Sequence, residues 1–329
     1  MKNNSNQNTA MPVAGVLSGA LVWGLIWYPY RVLQDGGVSG PMATLITYLL
    51  AIVFGAFMLP RIWRERSTFG WWLLLLVLST GWANLGYVLG MLDGEVMRVL
   101  LLFYLAPVWT ILFSFWMLGE RLNRYGYFVV LLSLGGAMVM LWKPSMGLPL
   151  PQNVSEWMGL TAGMGFALSN VTSRRAEHLS VEMKSFSIWF GTAALTLPFL
   201  LWQGGVVEQL AAINSFSWLI LSLIGLVLCA TAFTVQYGVT HLPANRAIVL
   251  FLFELVFAAI ASYFLADELM GLREWLGAIL IISASLLSGK LHVADVVQGE
   301  SKAFTTETQR HRGRQRKHND CHFDQREKS

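Results

Sequence analysis

The sequence predicts an all-α membrane protein of ten transmembrane helices, arranged as two inverted five-helix repeats. Three observations carry this expectation. The 329 residues are 55% hydrophobic and 13% charged, with a mean hydropathy of +0.54, whereas soluble domains carry about 25% charged residues. Ten apolar runs each approach the roughly 20 residues a helix needs to cross a bilayer. Two halves of the chain also resemble each other at a nearly constant offset. The composition excludes an ordinary soluble globular enzyme. It also excludes disorder over most of the length, which requires few apolar groups and many charges.

The runs cover 12–31, 41–60, 70–91, 98–118, 125–142, 156–174, 185–202, 217–239, 245–266 and 273–291. Connections such as 61–69 and 119–124 leave no room for a folded soluble domain. The bundle is therefore held in lipid, where each helix satisfies its own backbone hydrogen bonds. The polar segment 1–11 carries the single cation Lys2 and no small-x-small cleavage pattern, so the first run reads as a retained span. With that segment in the cytoplasm, eleven Lys and Arg side chains fall on the inner side and four on the outer. That bias places both termini in the cytoplasm and the protein in a bacterial-type cytoplasmic (inner) membrane.

Residues 143–155 form a linker between the halves, and 292–329 a basic tail. From Val293 onward the tail holds eight Lys/Arg and six Asp/Glu without apolar periodicity, as expected of a disordered, solvated extension. The net charge is +4. With so apolar a chain, an anionic lipid surface is a better partner than nucleic acid. Cys229 and Cys321 have neither disulfide nor metal spacing.

The internal repeat is legible residue by residue. At an offset of 148, Arg98 meets Arg246, Leu102 meets Leu250, Phe103 meets Phe251, Val108 meets Val256, Ser114 meets Ser262 and Glu120 meets Glu268. At an offset of 144, Gly15, Gly19 and Arg31 meet Gly159, Gly163 and Arg175. Residues 12–142 and 156–291 thus read as two copies of one unit. Five spans is an odd number, so the second copy enters from the opposite side. Inverted repeats of this kind recur in secondary transporters, with a site near the midplane between the halves.

The strings Leu105-Ala106-Pro107-Val108 to Leu118-Gly119-Glu120-Arg121-Leu122, and Tyr237-Gly238 to Leu265-Ala266-Asp267-Glu268-Leu269, resemble EamA-type members of the drug/metabolite transporter superfamily. The resemblance covers about residues 12–290. It implies export or uptake of small metabolites, often amino acids, by secondary transport without ATP; export is the direction expected. The second copy departs from the first at Ala266-Asp267, where the first has Leu118-Gly119. It departs again at Glu254-Leu255, opposite Ala106-Pro107.

Several residues could carry the chemistry. Glu254 is the one charged residue in the middle of a span, and ionisable groups at that depth face protein or water. It is a candidate for a coupling proton or for the amine of a substrate; the alternative is a structural carboxyl bonded to a neighbouring helix. Asn84 and Tyr87 share a helix face. With Tyr104, Asn170, Gln236 and Tyr237 they could supply the directed hydrogen bonds of an otherwise apolar pocket. Trp23 and Trp27 could stack on an aromatic or cationic solute. Arg98 and Arg246 begin equivalent helices, as snorkelling anchors or as gate charges able to meet an acid such as Asp93 or Glu95. Pro107 is a candidate hinge. The glycine pairs Gly15/Gly19, Gly86/Gly90 and Gly159/Gly163 permit close helix approach.

No P-loop, His-Glu-x-x-His or Gly-x-Ser-x-Gly string occurs, so neither an ATP motor nor those two enzyme sites is written into the chain. The expectation is a non-enzyme without cofactor or metal. Its expected partners are a small-molecule substrate, membrane lipid and a coupling proton. The competing classes are a membrane-embedded lipid-modifying enzyme, which needs clustered acids, histidines or metal ligands at one face, and a non-transporting receptor or scaffold, which needs no central cavity.

Overall fold

A computed structural model describes residues 7–65, 70–93, 96–142, 150–265 and 271–288. The basic tail, Glu268 and Glu95, and the side chain of Asp93, lie outside the described residues. Helix α1 runs over Gln7–Asp35. Helix α2 (Gly40–Phe54) starts at the N-cap Ser39; a 3₁₀ turn (Ala56–Met58) continues into α3 (Leu59–Arg64), and the segment Ala56–Arg64 is bent by 47° from α2. Helix α4 covers Trp71–Asp93, and α5 (Val96–Phe103) leads into α6 (Ala106–Leu118). Gly119, at φ 69°, closes α6 in the left-handed conformation that glycine adopts at least cost. Helix α7 (Arg124–Leu141) completes the first half.

The second half follows the same plan. Helix α8 (Val154–Arg175) is capped by Asn153, α9 (Val181–Gln203) by Ser180, and α11 (Ser215–His241) by Asn214. In each case a side-chain oxygen accepts an otherwise unpaired backbone N–H of the first turn. A short α10 (Val206–Ala212) links α9 to α11. Helices α12 (Ala244–Phe251) and α13 (Phe253–Leu265) follow, and residues 272–288 form α14.

Seven helical segments of the described chain are long and apolar enough to cross a membrane, or eight if the bent α2–α3 pair counts as one. The α5–α6 and α12–α13 pairs each count as one such segment, Arg98–Leu118 and Ala244–Leu265. Helix α8 is not among the seven, because its faces carry Thr161, Ser169, Asn170, Thr172 and Ser173. Those polar groups are turned inward: Ser169, Asn170, Thr172 and Ser173 are all buried. Outward-facing positions are strongly apolar. Leu131, Trp116, Phe264 and Leu286 are 65%, 72%, 73% and 76% exposed, as a surface solvated by lipid requires.

The packing repeats as the sequence does. Helix α1 lies against α11 and α13; its counterpart α8 lies against α4 and α6. Helix α2 packs on α9 and α11; its counterpart α9 packs on α2 and α4. Each contact is thus matched by the one obtained on exchanging the halves, and the main interfaces run between halves rather than within them.

Small residues set how closely those interfaces approach. A Cβ at Gly163 would press on the backbone carbonyl of Phe103, and one at Gly159 would lie 2.8 Å from the backbone oxygen of Val99. Both obstacles are main chain, which cannot swing aside. Replacing Gly163 by Val is therefore expected to force α8 from α5. The cost is at least the roughly 1–3 kcal/mol of an overpacked core, read as a lower melting temperature in detergent. A change smaller than that of a lipid-facing control such as Leu131→Val would refute the packing argument.

Candidate functional site

Two helices are interrupted at repeat-equivalent places. Helix α5 ends at Phe103 and α6 begins at Ala106; α12 ends at Phe251 and α13 begins at Phe253. The intervening turns, at Tyr104-Leu105 and Leu252, are separated by the 148-residue offset. Pro107 sits in the first turn of α6, where its missing N–H has no helical partner to lose. The second interruption has no proline. There the turn is held by the Leu255 N–H to the Leu252 carbonyl at 3.1 Å. Pro107 therefore accompanies a break rather than causing the pair of them.

A cavity of about 100 Å³ opens beside the two interruptions. Helices of both halves line it. Trp23, Thr80, Asn84, Tyr87 and Phe103 come from the first; Phe166, Ser169, Asn170, Gln236, Phe251 and Glu254 come from the second. Glu254 stands in the first turn of α13, where the helix dipole favours a negative charge. Tyr104, in the facing interruption, presents its hydroxyl toward this carboxyl group from the first half. Among the described lining residues Glu254 is the sole carboxyl, and none is Lys, Arg or His.

The other polar groups differ in how much bonding capacity they have left. Asn84 is engaged on both sides: its Oδ1 accepts from the Tyr48 hydroxyl at 2.7 Å, and its Nδ2 donates to the Thr80 carbonyl at 2.9 Å. Gln236 Oε1 accepts from Ser173 Oγ. Asn170 Nδ2 is buried without a hydrogen-bond partner. The aromatic rings form a connected wall: Trp23–Phe251 at 5.8 Å between centroids, Phe251–Phe166 at 5.1 Å, Phe166–Phe103 at 5.6 Å and Phe103–Tyr87 at 5.0 Å.

The model of the EamA-like transporter family matches the chain twice, over residues 10–142 and 154–289. The chain belongs to the EamA-like transporter family. A membrane transporter within the drug/metabolite transporter superfamily follows. An uncharacterized transporter of Archaeoglobus fulgidus (strain ATCC 49558 / DSM 4304 / JCM 9628 / NBRC 100126 / VC-16) is 29% identical over 205 residues, which are 61% of this chain and 70% of that protein. A crystal structure described only as that of a protein superposes with a TM-score of 0.66 at 18% identity, covering 86% of this chain and 97% of the other. That likeness concerns the fold.

In this EamA-like transporter, the residues singled out from sequence divide by place. Glu254, Asn84, Tyr87, Asn170, Gln236 and Trp23 line the cavity, with Tyr104 immediately behind Glu254. Tyr237 and Trp27 are not among the lining residues. Tyr237 turns the other way, as neighbouring helical residues must, and lies 4.3 Å from the His241 ring. Trp27 packs edge-on to Tyr28. Phe103, Phe166, Phe251, Thr80 and Ser169 line the cavity without having been singled out as site residues. Phe103 and Phe251 had a signal, since they are paired by the repeat. Phe166 had none beyond being one more phenylalanine in an apolar helix.

The two arginines have unlike fates. Arg98 finds its acid in the second half: Nε reaches Glu156 Oε1 at 2.7 Å and Nη2 reaches Oε2 at 3.0 Å, with both side chains buried. Arg246 begins α12 at the other end of the bundle, is 9% exposed, and its Nε has no hydrogen-bond partner. That end is fastened instead by Arg174, 3.7 Å from Glu120, and by Lys184 Nζ donating to Thr240 Oγ1 at 2.9 Å.

Proposed function

We propose that the protein is a secondary transporter that moves a small metabolite across the bacterial-type inner membrane by alternating access between two inverted five-helix repeats. The observation that carries this reading is the cavity between the halves, with Glu254 as its carboxyl and lining side chains from both copies. A solute-sized cavity at the interface of repeats, beside interrupted helices, is the arrangement expected of such carriers. Its small volume favours a solute of amino-acid size over a multi-ring compound. Pockets for drug-sized ligands run to about 300–1,000 Å³.

The ten-span count completes the same reading. Described helices occupy each of the ten apolar runs; α8 turns its polar groups inward, and α14 presents Leu276, Ile279 and Leu286 outward, as a lipid-facing span would. Residues 12–142 and 156–291 are then the two repeats, with both termini cytoplasmic. The interruptions at Tyr104-Leu105 and Leu252 serve as hinges. The Arg98–Glu156 pair closes the outer end, and Arg246 stands at the inner end. Glu254 binds the amine of the substrate or a coupling proton. Export of amino acids or related compounds is the transport direction and cargo this reading adopts from the family.

Solute counterflow in proteoliposomes tests it. Vesicles holding the full chain and preloaded with unlabelled solute are expected to accumulate the labelled solute transiently, from a panel of amino acids and their amine relatives. Empty vesicles should not. Absence of counterflow across the whole panel, from protein that remains monodisperse, would favour a receptor or scaffold.

A further inference from the structure

We propose that the cavity takes a small organic monocation bearing a hydroxyl or carbonyl oxygen, and discriminates against zwitterions of the same size. The proposal rests on the transporter reading above and narrows its cargo to the amine relatives, setting aside the zwitterionic amino acids.

Three features of the cavity carry it. The first is charge: Glu254 is the carboxyl in the wall, and no described lining residue is a cation. An ammonium group entering the cavity meets a counter-charge. A substrate carboxylate would be stripped of water, would find no partner charge, and would lie in the same small space as Glu254. The second is the wall itself. Trp23, Phe251, Phe166, Phe103 and Tyr87 follow one another at centroid spacings of 5.0–5.8 Å. A cation in a space this small lies within the roughly 6 Å at which ring faces attract it. The third is Asn170. Its Nδ2 is buried, unpartnered and part of the lining. An unpaired buried donor is costly to leave unmade, and an oxygen on the solute would satisfy it. Asn84 is already engaged on both sides, and the Gln236 oxygen is taken by Ser173.

The test uses solute pairs that differ in one respect. Choline and betaine share a trimethylammonium group, as ethanolamine and glycine share an ammonium; in each pair a hydroxymethyl group replaces a carboxylate. Counterflow of labelled choline and ethanolamine into proteoliposomes of the full chain is expected to exceed that of betaine and glycine by at least about tenfold. Phe251→Leu, which keeps an apolar side chain but removes the ring face, is expected to weaken choline binding roughly 3- to 30-fold. Size-exclusion chromatography would show that this variant is folded.

Counterflow of betaine or glycine equal to that of the cations would overturn the proposal and leave the transporter reading standing. Saturable choline binding to the detergent-purified protein, lost in Glu254→Gln but unaccompanied by counterflow, would support the site and overturn transport. Neither binding nor counterflow of the two cations would overturn the proposal; the wider amino-acid panel would then decide the transporter reading by itself.

Discussion

Replacing Glu254 by Gln lowers the initial rate of counterflow by roughly 10- to 100-fold, while the protein stays folded. The magnitude is that of a hydrogen bond to a charged group, about 1.5–3 kcal/mol. Glutamine keeps the shape of the side chain and still presents an oxygen to the Tyr104 hydroxyl of the other half. What it loses is the negative charge and the ability to hold a proton. Glu254→Asp keeps both but withdraws the carboxyl by one methylene, so it should retain an intermediate rate. Initial rates over a range of solute concentrations would separate a lost binding interaction from slower conformational exchange. A normal rate in Glu254→Gln would reduce Glu254 to a structural carboxyl joining α13 to the α5–α6 turn.

Glu156→Ala is expected to have the largest effect on stability. Four hydrogen bonds converge on the Glu156 carboxylate: two from Arg98, one from the Gln152 N–H at 2.8 Å and one from Asn153 Nδ2 at 3.0 Å. The two side chains are 8% and 3% exposed. Taking away one partner leaves a buried guanidinium without its counter-charge, at a cost of about 3–5 kcal/mol. The melting temperature in detergent should fall by roughly 5–10 °C. The double variant Arg98→Met/Glu156→Leu should recover most of that loss, because an apolar pair of similar volume replaces a charged pair at little net cost. Stability and transport then come apart. If the pair is a gate, the double variant is stable yet transports more slowly than wild type. If it only fastens the fold, both properties return together.

Much of the cavity lining was legible in advance, and the reasons differ by residue. Glu254 was found because a charge in mid-span is conspicuous against an apolar background. Asn84 and Tyr87 were found because three-residue spacing places them on one helix face. Helical periodicity could not say which face of α1 or α11 meets the other half. For that reason Trp27 and Tyr237 were grouped with Trp23 and Gln236, although neither lines the cavity. The proline offered one hinge; the paired interruption at Leu252 carries no such mark, and only its position opposite Tyr104 reveals it.

Hydropathy and the internal repeat, both properties of the chain read in one dimension, determined that this is an all-helical membrane protein of the EamA-like family. They sufficed because lipid admits few architectures and a duplicated gene leaves matched residues at a constant offset. The tertiary structure alone decided which polar groups meet. Arg98 closes on Glu156, 58 positions away and in the other half, and Glu254 meets Tyr104 across two interrupted helices. Such contacts depend on how helices rotate and cross as they pack. Small residues such as Gly163 permit that packing, but no periodicity along the chain records which partner they admit.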